Sequence, residues 1–189
     1  AHLALLGDKA LLFNENRDAF LMYSVAGRAW VAMGDPVAAD EEDRRELAWE
    51  FRELCERHGG WPVFYQIHPD HLGLYVELGL ALVKFGEEAR VRLAEASLDG
   101  KARKTLRNTV NRLERDGYRF EIVEAAGVPE LLPRLRAVSD AWLSGKNARE
   151  KGFSLGFYQE DYLRTGPVAI VRRDADLTAF ANLWRGGRE

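Results

Sequence analysis

RAWVAMGDPVAADEEDRRELAWEFRELCERHGGWPVFYQI, residues 28–67, decides the fold. Arg28 to Met33 has the β-branched and aromatic content of a strand, and Gly34-Asp35-Pro36 breaks the chain after it. Asp40 then stands where a helix N-cap belongs, and Glu41, Glu42 and Asp43 place negative charge on the first turn, where the helix dipole favours it. The helix runs to His58 and stops at Gly59-Gly60. Trp61 to Ile67 follows as a buried strand, with Pro62 tolerated near its start. Strand, helix and strand in close succession predict an α/β fold: a mixed central sheet flanked by helices.

Working outward, Ala10 to Phe13 and Phe20 to Val25 read as strands of a meander that turns at Ala26-Gly27 into the strand at Arg28. On the other side, Pro69 suits a first helical turn, Leu72, Tyr75 and Leu78 share a face, and Gly79 is a stop. Leu80 to Phe85 and Ala89 to Leu93 are expected as two more strands. Asp99 is expected to cap a helix that ends near Asp116-Gly117. Tyr118 to Val123 is a strand, and a helix from Pro129 carries Leu131, Leu135, Val138 and Trp142. The polar loop Ser144 to Lys151 and a short helix at Tyr158 to Leu163 lead to a hairpin, Pro167 to Val171 with Thr178 to Trp184. A two-stranded ribbon is marginal without a packing partner. The hairpin is therefore expected to open a second, truncated domain over 166–189, after a first domain over 1–165.

The 189 residues include 47% hydrophobic and 30% charged residues, an ordinary balance for a packed globular chain. Cys55 shares the apolar helix side with Leu47, Phe51 and Leu54 and is read as core. As the single cysteine it excludes an intramolecular disulfide and a CxxC zinc or redox motif. No run reaches the roughly 20 apolar residues a spanning helix needs. The net charge of −3 gives no global attraction to a polyanion, so any such attraction must be local.

It is local at KARKTLRNTVNRLER, Lys101 to Arg115. Lys101, Arg103, Lys104, Arg107, Arg112 and Arg115 stand against Glu114 alone, a local charge of +5 in an acidic chain. Ala102, Leu106, Val110 and Leu113 fall on one stripe at 100° per residue, so one face is expected to pack while the other meets phosphates of RNA or of an anionic lipid surface. A plain solvated helix face is the alternative.

Candidate site residues elsewhere are fewer. Ser139 and Asp140 beside Trp142 are followed by Lys146, Arg149 and Lys151, then by Gly152-Phe153-Ser154-Leu155-Gly156, a glycine-flanked loop of the kind that brings backbone N–H groups to an anion. His2, His58, His68 and His71 show no zinc-ligand spacing, and His68-Pro69-Asp70-His71 reads as a helix start. Asp35 is either a turn residue or part of a site. No nucleophile triad assembles.

Together, GDP (Gly34 to Pro36), LRNTVNRLERDGYRFE (Leu106 to Glu121), SDAWL (Ser139 to Leu143), EKGFSLG (Glu150 to Gly156) and AFANLW (Ala179 to Trp184) resemble the C-terminal catalytic domain of the phosphatidylglycerol lysyltransferases, also called the multiple peptide resistance factors. The matches run in order over nearly the whole chain. The resemblance implies a tandem of N-acetyltransferase-type (GNAT) acyltransferase folds, with this chain holding the first copy and the opening of the second. It implies aminoacyl-tRNA as donor, phosphatidylglycerol as acceptor, lysine or alanine as cargo, and neither acetyl-CoA nor a metal. A transmembrane flippase domain and the cytoplasmic face of the bacterial inner membrane come with it. Lys101, Arg103, Lys104, Arg107, Asn108, Arg112, Lys146, Lys151, Gly152, Phe153, Ser154 and Asp35 become expected substrate contacts, and Asp140 a candidate base. Further site residues are expected beyond Glu189, so this stretch alone is expected to be inactive.

Two other classes compete: a GNAT-type N-acyltransferase of a small amine, and a non-catalytic nucleic-acid or lipid-binding module. The first lacks its Gln/Arg-x-x-Gly-x-Gly/Ala pyrophosphate loop in this sequence. The second leaves the ordered resemblance unexplained.

Overall fold

The computed structural model describes residues 2–147 and 149–186. The chain divides into two compact units, 1–85 with 151–157, and 86–150 with 158–189. In the first, β1 (Ala10–Phe13), β2 (Phe20–Ala26), β3 (Ala29–Met33) and β4 (Trp61–Tyr65) form a sheet in that order. β1, β2 and β3 are antiparallel neighbours, whereas β4 joins β3 in parallel. A parallel neighbour cannot be reached by a tight turn, and α1 (Glu41–Arg57) supplies the crossover. Asp40 caps it as expected, its carboxylate accepting from the Asp43 amide at 2.9 Å.

Leu47, Ala48, Phe51 and Cys55 of α1 are fully buried. Phe51 packs between Tyr23 at 5.2 Å and Phe64 at 5.4 Å, ring centre to ring centre, which locks the helix on one sheet face. α2 (Leu72–Glu77) adds Leu74 and Tyr75, which pack with Leu78 and Ala48.

The second unit holds α3 (Lys104–Arg115), β5 (Tyr118–Val123), α4 (Val128–Lys146), α5 (Glu160–Leu163), β6 (Val168–Arg173) and β7 (Asp176–Asn182). β5, β6 and β7 make an antiparallel sheet in that order. Val128, Leu131, Leu132 and Leu135 of α4 close a core with Leu163, Val168, Ile170 and Leu177.

Four expectations need correction. The terminal hairpin lies in a second sheet but does not open it, because β6 pairs with β5 along six residues. The division of the chain therefore falls near residue 85, with 151–157 returning to the first unit, and not at 165/166. Among the described residues Leu80 to Phe85 and Ala89 to Leu93 form no strands and enter no β-ladder, and Phe85 and Leu93 are 89% and 86% exposed. Alternation supplies strand propensity but not the partner a ladder requires. Asp99 accepts from the Ser97 hydroxyl at 2.7 Å instead of capping, and α3 starts after Arg103. Finally, no residue of α3 is fully buried: Val110 is half-buried while Leu106 and Leu113 are exposed, so the stripe expected to pack does so only in part.

Phe51→Ala should destabilise the first unit by about 3–5 kcal/mol, because its neighbours cannot collapse onto a cavity between helix and sheet; urea unfolding followed by near-ultraviolet circular dichroism measures it. Burial pushes the Cys55 thiol up to about 11. With the folded pKa above the unfolded one, the stability this thiol contributes is present below about pH 8.5 and is lost as pH rises toward 11. Native protein at pH 8 should resist a thiol reagent that labels the urea-unfolded chain at once.

Candidate functional site

Asp35 follows β3 at a turn that Gly34 opens with a φ of 77°. Its Oδ1 accepts from the Tyr75 hydroxyl at 2.6 Å and its Oδ2 from the His68 amide at 2.8 Å. His71 Nδ1 lies 3.2 Å from the same Oδ1 without the alignment to donate to it. Burial, then the hydrogen bond to Asp35, pushes the Tyr75 phenol far above the usual tyrosine range. The carboxylate is thus engaged inside the unit. It ties the chain leaving β3 to the chain leaving β4, and both of its oxygens are already accepting hydrogen bonds.

The glycine-flanked loop does present an N–H to an anion, and the anion belongs to the protein. Phe153 N–H donates to Asp8 Oδ2 at 3.0 Å, with Gly152 at φ 61° and Phe153 at φ 50° shaping the approach. A positive φ is rare for a bulky non-glycine residue and has to be held by its surroundings. Asp8 Oδ1 also pairs with Lys9 Nζ at 2.6 Å; the Lys9 side chain is 0% exposed and its ammonium stands 5.7 Å from the Phe153 ring centre. Tyr65, at the end of β4, meets Phe153 at 6.2 Å. Sequence reasoning missed Asp8 and Lys9. A lone Asp-Lys pair before a strand carries no motif, and only the return of 151–157 to this unit gives it a role.

In the second unit, Lys101, Arg103, Lys104, Asn108 and Arg112 stand exposed along α3 and the turn before it, with Arg107 half-buried. Arg107 donates to the Leu98 and Gly100 carbonyls and Arg115 to the Asn111 carbonyl at 3.2 Å. None of the six cations forms an ion pair among the described residues. No acid occupies the first turn of α3 and no side chain caps it, so Lys101, Arg103 and Lys104 crowd the positive end of the dipole. A cation at that end costs about 0.3–1 kcal/mol, which an external anion would reverse.

Asp140 is exposed on α4. Beside it, a groove of about 920 Å³ runs between α4 and β7, lined by Arg134, Val138, Ser139, Trp142, Thr178 and Phe180 but not by Asp140. Lys146, at the end of α4, and Lys151, in the first unit, are exposed, whereas Ser154 is half-buried. Of the expected substrate contacts, Asp35, Lys151 and the Gly152 to Ser154 loop belong to the first unit, and the α3 cations with Asn108, Asp140 and Lys146 to the second. Among the described residues no group of three or more His, Cys, Asp or Glu could hold a metal ion, and no helix is long and apolar enough to cross a membrane.

The profile of the family "Phosphatidylglycerol lysyltransferase, C-terminal" matches residues 1–189. The chain belongs to that family. Phosphatidylglycerol lysyltransferases of Staphylococcus aureus (strain COL) and Staphylococcus xylosus are 37% and 34% identical over 184 residues, 97% of this chain and 22% of each relative. Among solved structures, L-PGS from Bacillus licheniformis is 38% identical with a TM-score of 0.87 over 96% of this chain and 57% of that one. The C-terminal domain of a candidate lysylphosphatidylglycerol synthetase from Agrobacterium fabrum is 45% identical with a TM-score of 0.89 over the same shares. The chain thus spans about a fifth of the curated relatives and little over half of the solved ones. Its mixed α/β architecture is that of the phosphatidylglycerol lysyltransferase C-terminal domains and agrees with a GNAT-like fold.

The geometry separates two substitutions at the Asp8 pair. Asp8→Ala leaves the buried Lys9 ammonium unpaired and should cost about 2–3 kcal/mol, discounted from a fully buried pair because Asp8 is partly exposed. The amides of 151–157 should lose hydrogen-exchange protection in that variant. Lys9→Met keeps the Asp8 to Phe153 hydrogen bond and should cost less. In parallel, Tyr75→Phe should cost about 1–2 kcal/mol by chemical denaturation, less than Asp35→Ala, which strands both donors.

Proposed function

We propose that the protein works in an aminoacyltransferase that moves an amino acid, lysine or alanine, from aminoacyl-tRNA to phosphatidylglycerol. The family match over residues 1–189 carries the reading. The match to relatives named phosphatidylglycerol lysyltransferase along 97% of the chain supports it. Because this chain covers 22% of those relatives, it acts as one part of a longer machine. Membrane-spanning flippase segments and a location at the cytoplasmic membrane face belong to the same proposal.

An aminoacyl ester is already activated, so the enzyme has to hold the glycerol hydroxyl of the lipid against the ester carbonyl, take up its proton and stabilise the oxyanion. The uncompensated cations at Lys101, Arg103, Lys104, Arg107 and Arg112, with Asn108 among them, suit phosphate groups of either substrate. Lys146 in the second unit and Lys151 in the first are further candidate phosphate contacts, and in the first unit the loop Gly152 to Ser154 is held in shape by Asp8. Asp35 fixes the strand ends of the first unit. For the base, Asp140 is a solvent-accessible carboxylate on the helix that also forms the groove wall.

A protein of the relatives' length, given radiolabelled lysyl- or alanyl-tRNA and phosphatidylglycerol, should move label into the lipid fraction. Asp140→Asn should slow that transfer at least 10²-fold if Asp140 is the base. Consumption of acetyl-CoA with a small amine, and no lipid labelling from any aminoacyl-tRNA, would replace this reading with the small-molecule acyltransferase.

A further inference from the structure

The segment Lys151 to Phe157 carries two glycines, forms neither helix nor strand and has no buried residue. Its backbone turns left-handed at Gly152, Phe153 and Gly156, with φ of 61°, 50° and 69°. The glycines take that conformation freely, whereas Phe153 is strained in it, and such strain in a folded chain marks clamps and switches. What holds Phe153 is its own N–H, which donates to Asp8 Oδ2 at 3.0 Å. A hydrogen bond to a carboxylate is of the same order as the strain it maintains. Packing adds little to it. The Phe153 ring centre stands 6.2 Å from that of Tyr65, Gly156 fits where a Cβ would come within 3.3 Å of Leu6 Cδ1, and Leu155 is 74% exposed.

Lys9 gives this balance a consequence. Its side chain is 0% exposed, its ammonium pairs with Asp8 Oδ1 at 2.6 Å, and the Phe153 ring centre lies 5.7 Å from the ammonium. A lysine is seldom buried this fully without such a partner. One carboxylate therefore serves two donors, the ammonium through one oxygen and the segment through the other. If Phe153 lets go, its backbone relaxes and its ring withdraws from Lys9. No sheet pairing has to break, because 151–157 enters no β-ladder among the described residues.

We infer that 151–157 is a strap poised to open, clasped to the first unit by Asp8, and that its opening uncovers Lys9 while the sheet of β1 to β4 stays folded. In the closed state the Phe153 N–H and the Lys9 ammonium are both spent on one internal carboxylate; in the open state the N–H is released and the ammonium is reachable. The inference stands on these contacts and does not depend on the proposed transfer.

Two rates read the opening. One is hydrogen exchange at the Phe153 amide, followed by nuclear magnetic resonance in this chain. The other is acylation of Lys9 by an N-hydroxysuccinimide ester, mapped by mass spectrometry in this chain and in a protein of the relatives' length, where whatever else packs there is present. Both should be insensitive to low urea that already speeds exchange in α1, which is the mark of a local opening. Asp8→Asn should raise both rates about tenfold or more. Lys9→Met keeps the clasp and should raise Phe153 exchange less than Asp8→Asn does. Rates at Phe153 and Lys9 that climb with urea in step with α1 would show that the segment lets go only when the whole unit unfolds, and would overturn the inference. Asp8→Asn protein that exchanges and labels like the parent overturns it too, as does a Lys9 acylated in native protein as fast as in the urea-unfolded chain. The urea dependence needs no substitution, so it decides even where Asp8→Asn does not fold.

Discussion

The parallel pairing of β3 with β4 is the constraint on which the first unit depends, and Asp35 is the group that closes it. Parallel neighbours require a crossover, so α1 must leave the end of β3 and return the chain to the start of β4. The chain leaving β4 must then be anchored beside the chain leaving β3. One carboxylate does this by accepting from the His68 amide and the Tyr75 hydroxyl. Tyr75 is in turn packed 4.7 Å from Phe64 of β4. The acid, the phenol and the strand therefore hold one another, and partial burial strengthens the hydrogen bonds because less water competes for them.

Asp8 repeats the device at another place. Its carboxylate binds the buried Lys9 ammonium and the Phe153 amide, fixing a left-handed backbone that a phenylalanine would not adopt in isolation. Two acids are thus turned inward as structural acceptors, while among the described residues the cations of α3 have no carboxylate partners. The same contrast explains why the glycine loop, taken from sequence as a substrate cradle, already holds an internal anion.

Membership of the phosphatidylglycerol lysyltransferase C-terminal family gives this distribution a setting. The relatives are much longer than this chain, and the solved structures superpose closely on it, with TM-scores of 0.87 and 0.89. Among the described residues the α3 cations make no ion pairs, and Leu82, Val83 and Phe85 are exposed. Their exposure is physically costly in isolation, since each apolar side chain left in water forgoes roughly 1.5–3 kcal/mol of burial.

The sequence by itself determined the β1 to β4 order of elements, the Asp40 cap, the burial of Cys55 and the hairpin of β6 and β7, because each depends on spacing, turn chemistry or capping within a few residues. It also determined the charge cluster on α3 and, through ordered motifs, the family. Tertiary structure alone decided that Leu80 to Phe85 and Ala89 to Leu93 form no strands among the described residues, that β5 rather than the hairpin begins the second sheet, and that 151–157 rejoins the first unit. It also decided the roles of Asp8, Lys9 and Asp35, and that Leu106 and Leu113 face water. These outcomes rest on partners far away in the chain: a strand needs a neighbour, an apolar stripe needs a surface, and a carboxylate takes whichever donors the fold brings to it. Local pattern records the demand for a partner, and only the folded chain shows whether that demand is met.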